Sequence, residues 1–141
     1  EKLGARNSGP SVARFGVRNI ATLMKNALIT GRREGDALLL DERFVYADGT
    51  RQQRTWRLEP KGNGKWRGTA ADVIGEAEGE VSGNALHWRY VLRLPVGGRE
   101  WAVDFDDWMF LVDEHTMLNS ARMSKYGFGL GEVSLFFRKQ A

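Results

Sequence analysis

From residue 36 to the C-terminus, apolar and polar residues alternate with a period of two, and Gly-containing turns interrupt the alternation at short intervals. That pattern predicts successive antiparallel hairpins rather than helices. The predicted strands are Ala37 to Tyr46, Thr50 to Glu59, Lys65 to Ala71, Glu76 to Ser82, Ala85 to Val96, Arg99 to Val112, Thr116 to Ser124 and Leu130 to Lys139, with Thr22 to Arg32 as a ninth. Residues 1–21, with Gly4, Gly9, Pro10 and Ser11, are expected to form an irregular or partly helical N-terminal arm, and residues 22–141 a single β domain.

Loop length fixes hairpin register, so the turns state which side chains face each other. Gly97-Gly98 as a two-residue loop sets Leu94 opposite Trp101, Leu92 opposite Val103 and Tyr90 opposite Phe105, so apolar faces meet. Gly83-Asn84 likewise places Val81 opposite Leu86, Gly79 opposite Trp88 and Ala77 opposite Tyr90. Ala47-Asp48-Gly49 suits a type I turn closed by a left-handed Gly, which puts Phe44 opposite Gln52, Leu40 opposite Trp56 and Glu42 opposite Arg54. Extension through the Pro60 to Gly64 loop sets Trp56 against Gly68. The resulting fold is all-β: an antiparallel up-and-down meander of eight or nine strands that avoids bare edges by curling into a lipocalin-like barrel.

On this register the inward face carries Leu40, Phe44, Trp56, Trp88, Tyr90, Phe105, Met109 and Met123, and also the polar Glu42, Arg54, Asp107 and Asn119. A charged group in such surroundings must be paired, so Glu42 and Arg54 are expected to form an ion pair across the ladder, and the Trp88 indole faces Asp107 as a donor. Two readings stand side by side: a satisfied buried network that pins the sheet, and a polar anchor in a ligand pocket formed by Glu42, Phe44, Arg54, Trp56, Trp88, Tyr90, Phe105, Asp107, Met109, Asn119 and Met123. Arg54 compensates Glu42, which leaves Asp107 as the acid/base candidate, for an isomerase or hydrolase. With no nucleophile, His partner or cofactor motif beside it, an enzyme is not the favoured expectation.

Composition narrows the chemistry further. Hydrophobic residues make up 42% of the 141, with 17 Gly and 3 Pro, which suits a packed single domain with many turns. The chain has no Cys, which removes disulfides, thiolate metal sites and cysteine nucleophiles, and its two His, His87 and His115, lack metal-site spacing. Alternation sends Asp104 and Asp106 to the face opposite Asp107, so no metal site is expected there, and no glycine-rich segment forms a phosphate or dinucleotide loop, so no cofactor is expected. The net charge of +3 is unevenly divided: residues 1–70 carry 14 Lys/Arg against 7 Asp/Glu, and residues 71–141 carry 7 against 11. The basic positions are dispersed among apolar ones, and Arg51, Arg57, Arg67 and Lys65 near Trp66 read as a solvated face, so nucleic acid is not an expected partner. No apolar run of 18 residues and no leader is visible, so the chain as given is expected neither to span a membrane by a helix nor to carry a signal.

Several segments, in order, resemble one family: Leu40-Asp41-Glu42-Arg43-Phe44, Tyr46-Ala47-Asp48-Gly49, Arg54-Thr55-Trp56, Gly68-Thr69-Ala70, Asp72-Val73, Gly75-Glu76-Ala77, Gly83-Asn84-Ala85, Trp88-Arg89-Tyr90, Phe105-Asp106-Asp107-Trp108-Met109, Met123-Ser124-Lys125-Tyr126-Gly127 and Gly131-Glu132-Val133. They resemble the domain of unknown function 3833 family of uncharacterised Gram-negative envelope proteins, across approximately residues 38 to 139, with little likeness in the first 35. The resemblance implies export, attachment to a membrane through an upstream lipidated cysteine, and residence in the cell envelope; it supplies no activity or catalytic residue. The architecture it implies is lipocalin-like, although the Gly-x-Trp signature of lipocalins is absent, so ligand binding of lipocalin type is an analogy. The expected function is an envelope barrel that holds a lipid, fatty acyl or isoprenoid ligand. The alternative is a barrel filled by its own side chains, acting as a structural or protein-interaction module.

Overall fold

A computed structural model describes residues 3–7, 11–15 and 20–139. Eleven strands are present: β1 (Leu3–Asn7), β2 (Ser11–Phe15), β3 (Ile20–Glu34), β4 (Ala37–Tyr46), β5 (Arg51–Gly62), β6 (Lys65–Thr69), β7 (Ala77–Ser82), β8 (Ala85–Val96), β9 (Arg99–Asp113), β10 (Thr116–Lys125) and β11 (Phe128–Lys139). β3 to β11 form a nine-strand antiparallel meander, each paired with the next along the chain, curled into an open half-barrel. The open side lies between β3 and β11, and β1 and β2 each pair with both of those edges.

Leu3–Asn7 and Ser11–Phe15 are therefore extended, where the sequence allowed an irregular or partly helical arm; the rest of that arm lies outside the described residues. The physical reason is tertiary. The edges of a curled sheet present unpaired N–H and C=O groups, and a nearby segment gains a ladder of hydrogen bonds by extending along them.

The turn-based registers hold across the central hairpins. Leu92 pairs with Val103 and Tyr90 with Phe105, Gly79 with Trp88, Leu40 with Trp56 and Glu42 with Arg54. Gly49, at φ 88°, closes the β4–β5 loop in a region where a side chain would be strained. One register differs by two residues: Gly68 faces Leu58, not Trp56. Asn63 adopts a left-handed φ of 54°, so Asn63-Gly64 make a two-residue turn, and a bulge between Pro60 and Gly62 absorbs the remainder of the expected loop. The β7–β8 ladder ends at the Glu78–Arg89 pair, so Ala77 faces Gly68 of β6 rather than Tyr90.

Two clusters of buried side chains lie on the concave face. One packs Trp56, Leu58, Val73, Ala77, Trp88 and Leu92; the other packs Ala27, Phe44, Leu135 and Phe137. In the first, Trp56 meets Trp88 edge-on with ring centroids 5.7 Å apart and Tyr90 edge-on at 5.0 Å. Both glycines beside Trp88 are there to admit its ring: a Cβ on Gly68 would lie 2.6 Å from Trp88 Cζ2 and from Leu58 Cδ2, and one on Gly79 would overlap the six-membered ring of Trp88.

Candidate functional site

Halfway along the concave face, neighbouring strands contribute Glu42 (β4), Arg54 (β5), Tyr90 (β8), Asp107 (β9) and Asn119 (β10). Period-two alternation places each on the inner side. Arg54 and Asp107 are buried, whereas the residues on either side of Asp107, Asp106 and Trp108, are half-buried and exposed. Arg54 Nη1 lies 3.4 Å from Glu42 Oε2, so the ion pair expected from the β4–β5 turn is present. The guanidinium is held more firmly by Asp72, in the segment between β6 and β7: Nε donates to Oδ1 at 2.9 Å and Nη2 to Oδ2 at 2.9 Å, a two-pronged geometry.

Asp107 is approached diagonally from both neighbouring strands. Asn119 Nδ2 donates to its Oδ1, and the Tyr90 hydroxyl donates to its Oδ2 at 3.4 Å. The expected indole donor is replaced: Trp88 sits directly opposite Asp107 on the ladder, but its ring is turned into the gap left by Gly68 and Gly79.

Burial sets the electrostatics of the cluster. It pushes the Asp107 carboxyl up to about 7, with the Asn119 hydrogen bond opposing the rise and the nearby Glu42 charge adding to it. Glu42 is raised by the same cause, with Arg54 pulling it back. Arg54 would be lowered by burial, but hydrogen bonding to Asp72 and the charges of Glu42 and Asp72 raise it, so it stays cationic. Burial and the Asp107 charge hold the Tyr90 phenol well above its ordinary value, which keeps it a donor rather than a nucleophile. The cluster can hold a proton on Asp107 near neutral pH and accept hydrogen bonds.

On either side of this partition the concave face opens into a cavity. One, of about 350 Å³, is walled by Phe44, Leu92, Leu94, Phe105, Met123, Val133 and Leu135 toward the β4–β5 turn. The other, of about 400 Å³, is walled by Leu38, Leu40, Trp56, Leu58, Leu86, Trp88 and Met117 toward the β9–β10 turn. Both are bounded by Ile29, Glu42, Tyr90, Asp107, Met109 and Phe137. All eleven candidate residues line these spaces: Phe44, Arg54, Phe105, Asn119 and Met123 the first, Trp56 and Trp88 the second, and Glu42, Tyr90, Asp107 and Met109 both. The sequence implied one pocket; the structure has two compartments stacked along the strands.

Beyond further apolar residues of the cavity walls, sequence reasoning missed Asp72, Ile29 and Phe137. Asp72 lies outside any alternating strand, and only the capacity of Arg54, whose planar fork accommodates more than one carboxylate, hinted at a second partner. Its position is fixed from afar: Arg93 N–H donates to the Asp72 carbonyl at 2.9 Å, and the neighbouring Val73 bridges to Leu92. Ile29 and Phe137 line both cavities from β3 and β11, where the hairpins at Gly35-Asp36 and Tyr126-Gly127 set Ile29 opposite Glu42 and Phe137 opposite Met117.

No curated protein and no solved structure matches the chain. A family does match: the one described as Protein of unknown function (DUF3833), over residues 14–139. The match reaches further toward the N-terminus than the motif likeness from residue 38 implied, and takes in the whole of β3 to β11. It covers most of the chain, and the protein belongs to the DUF3833 family.

Proposed function

We propose that this protein holds an apolar or amphipathic small molecule of lipid type against the concave face of its sheet, and that it does so in the bacterial cell envelope, tethered to a membrane by a lipid attached upstream of this chain. The observation that carries the binding reading is the pair of cavities, about 350 and 400 Å³, walled by apolar side chains and meeting at a few convergent polar groups. Volumes of that size, with sparse polar anchors in an apolar lining, suit a small-molecule ligand. The same volumes weigh against a barrel plugged by its own side chains. The placement in the envelope rests on the likeness to a family of envelope proteins.

The test is native mass spectrometry of the full-length protein after gentle extraction. A bound apolar compound is expected, and its removal should change the fluorescence of Trp56 and Trp88. A bare mass, together with no uptake of a hydrophobic dye such as N-phenylnaphthylamine, would return the protein to the structural or interaction role. Cell fractionation checks the location: the full-length protein should be recovered with membranes, and recovery in the cytoplasmic fraction would overturn it.

A further inference from the structure

Resting on the binding reading above, we propose that the site takes an amphiphile whose polar group is a non-anionic hydrogen-bond donor placed part-way along the molecule, with an apolar arm on each side, and that it discriminates against long-chain carboxylates and phosphates. Two features of the partition carry this.

The first is position. Besides the polar side chains at the two turn-facing ends, such as Asp48 and Gln52 in the first cavity and Glu114 and Lys139 in the second, a polar boundary of Glu42, Tyr90 and Asp107 lies between the two apolar compartments, where the head of a fatty acid resting at an outer end would not reach it. A ligand that fills both and also satisfies that boundary carries its polar group in the middle. A ligand with a terminal head either leaves one compartment to water against side chains such as Trp56 and Leu58, or lays an apolar chain across the Glu42 and Asp107 carboxyls.

The second is charge. Arg54 is the cation at the partition, and it already faces two carboxylates, Glu42 at 3.4 Å and Asp72 at 2.9 Å; the other Lys or Arg that lines either cavity among the described residues, Lys139, lies at the β9–β10 end of the second, with Glu114. Asp107 adds a third acidic group. A carboxylate placed at the partition would therefore enter a region with an excess of acidic groups, its one cation already committed, at a depth where water screens poorly. A donor fares differently. The Tyr90–Asp107 and Arg54–Glu42 contacts are both long, at 3.4 Å, so the two carboxyls retain lone pairs facing the cavities, and a carboxylate has about four acceptor positions.

The experiment compares three ligands of equal carbon number by displacement of N-phenylnaphthylamine at pH 8: a secondary alcohol with its hydroxyl at mid-chain, the primary alcohol, and the fatty acid. The primary alcohol is expected to bind about tenfold or more tightly than the acid, a ratio that reports charge. The mid-chain alcohol is expected to bind more tightly than the primary one, a ratio that reports position. Equal or tighter binding of the acid overturns the charge discrimination, and weaker binding of the mid-chain alcohol overturns the two-armed placement, while either result leaves the binding reading intact. Failure of the dye and all three ligands to bind overturns the binding reading itself, and the inference with it. Asp107→Asn should raise acid affinity about tenfold and leave alcohol affinity nearly unchanged; should that variant not fold, the three-ligand comparison on the unaltered protein decides alone.

Discussion

The aromatic wall around Trp88 and the polar partition around Arg54 lie side by side on the same concave face, yet they are built by different means. In the wall, every fit is one of shape between apolar groups: Gly79 sits opposite Trp88 on the β7–β8 ladder, the ring passes over Gly68 one strand further on, and its edge meets Trp56 on β5. In the partition, the strongest contact joins Arg54 on β5 to Asp72, which lies 18 positions away outside the strands and is held in place by the backbone of Arg93. The wall is stabilised by shape, which a single added methyl group disturbs locally. The partition is stabilised by charge balance, in which loss of one member leaves the others uncompensated.

Arg54→Ala should have the largest effect. It would leave Glu42, Asp72 and Asp107 without a cation, and truncation of one member of a buried ion pair costs about 3 to 5 kcal/mol, most of a small domain's margin. Replacing Glu42 and Arg54 together by apolar residues of similar volume should recover most of that loss, because Asp72, with 31% of its side chain exposed, can rehydrate. Urea denaturation of the single and double variants checks both; losses below 1 kcal/mol for Arg54→Ala would show that the partition is not a buried charge cluster.

The same contrast explains what the sequence made legible. Period-two alternation and the two- and three-residue turns were sufficient for nine strands and for the Glu42–Arg54, Gly79–Trp88 and Tyr90–Phe105 registers, because those pairings are local and a slip of one residue would expose an apolar face. The Trp56–Gly68 pairing failed where a bulge at Pro60 to Gly62 hid two residues that no alternation marks. Asp72 stayed out of view because it lies outside the strands, whereas Ile29 and Phe137 were legible in principle from the β3–β4 and β10–β11 hairpins, which set them opposite Glu42 and Met117. That Ile29 on β3 and Phe137 on β11 line the same two cavities does depend on curvature, which brings the two ends of the meander toward each other and which a hairpin-by-hairpin reading does not carry. The division of the interior into two compartments follows from the same curvature.

Acidity offers a second way to test the partition against the wall. The native Asp107 carboxyl is raised to about 7 from an ordinary value of 3.8, so between those values the native state retains a proton that the unfolded chain has released. Stability from this group is therefore fullest below about pH 4 and falls as pH rises to about 7, by an amount on the order of a few kcal/mol; Glu42, raised by burial, acts in the same direction. Asp107→Asn should flatten the decline, measured as urea midpoints at pH 4.5 and pH 8. A variant whose midpoints fall as steeply as the unaltered protein's would place the titrating group elsewhere.

Gly79→Ala probes the wall in isolation. The added Cβ would overlap the Trp88 ring and lie 2.9 Å from the His87 carbonyl oxygen, so either the ring leaves its place or the β7–β8 ladder shifts. Overpacking of this kind costs about 1 to 3 kcal/mol. The loss should be the same at pH 4.5 and pH 8, since no titrating group is touched, and near-UV circular dichroism should register the altered Trp88 environment. A pH-dependent loss would mean that wall and partition are mechanically coupled, and that displacement of Trp88 is passed to Asp107, its partner across the ladder.

The smallest effect should come from Asp41→Ala, one residue from Glu42 on the same strand. Asp41 accepts from Gln53 Nε2 at 2.7 Å and from Arg43 Nε at 2.9 Å, and these bonds lower its carboxyl below the ordinary range. Contact for contact, it is better satisfied than Glu42, whose bond to Arg54 is 3.4 Å long. Geometry alone would rank Asp41 the more important. It faces the convex side, however, where Arg43 is 64% exposed and water can replace each bond, so its removal should cost about 0.5 kcal/mol or less. Its small contribution is present above the ordinary carboxylate pKa and is lost as pH falls below it, opposite in sign to that of Asp107. A cost near that of Arg54→Ala would mean that the β4 face assignment is inverted. A cost near zero shows that depth on the concave face, and not bond length, determines the contribution of a carboxylate in this sheet.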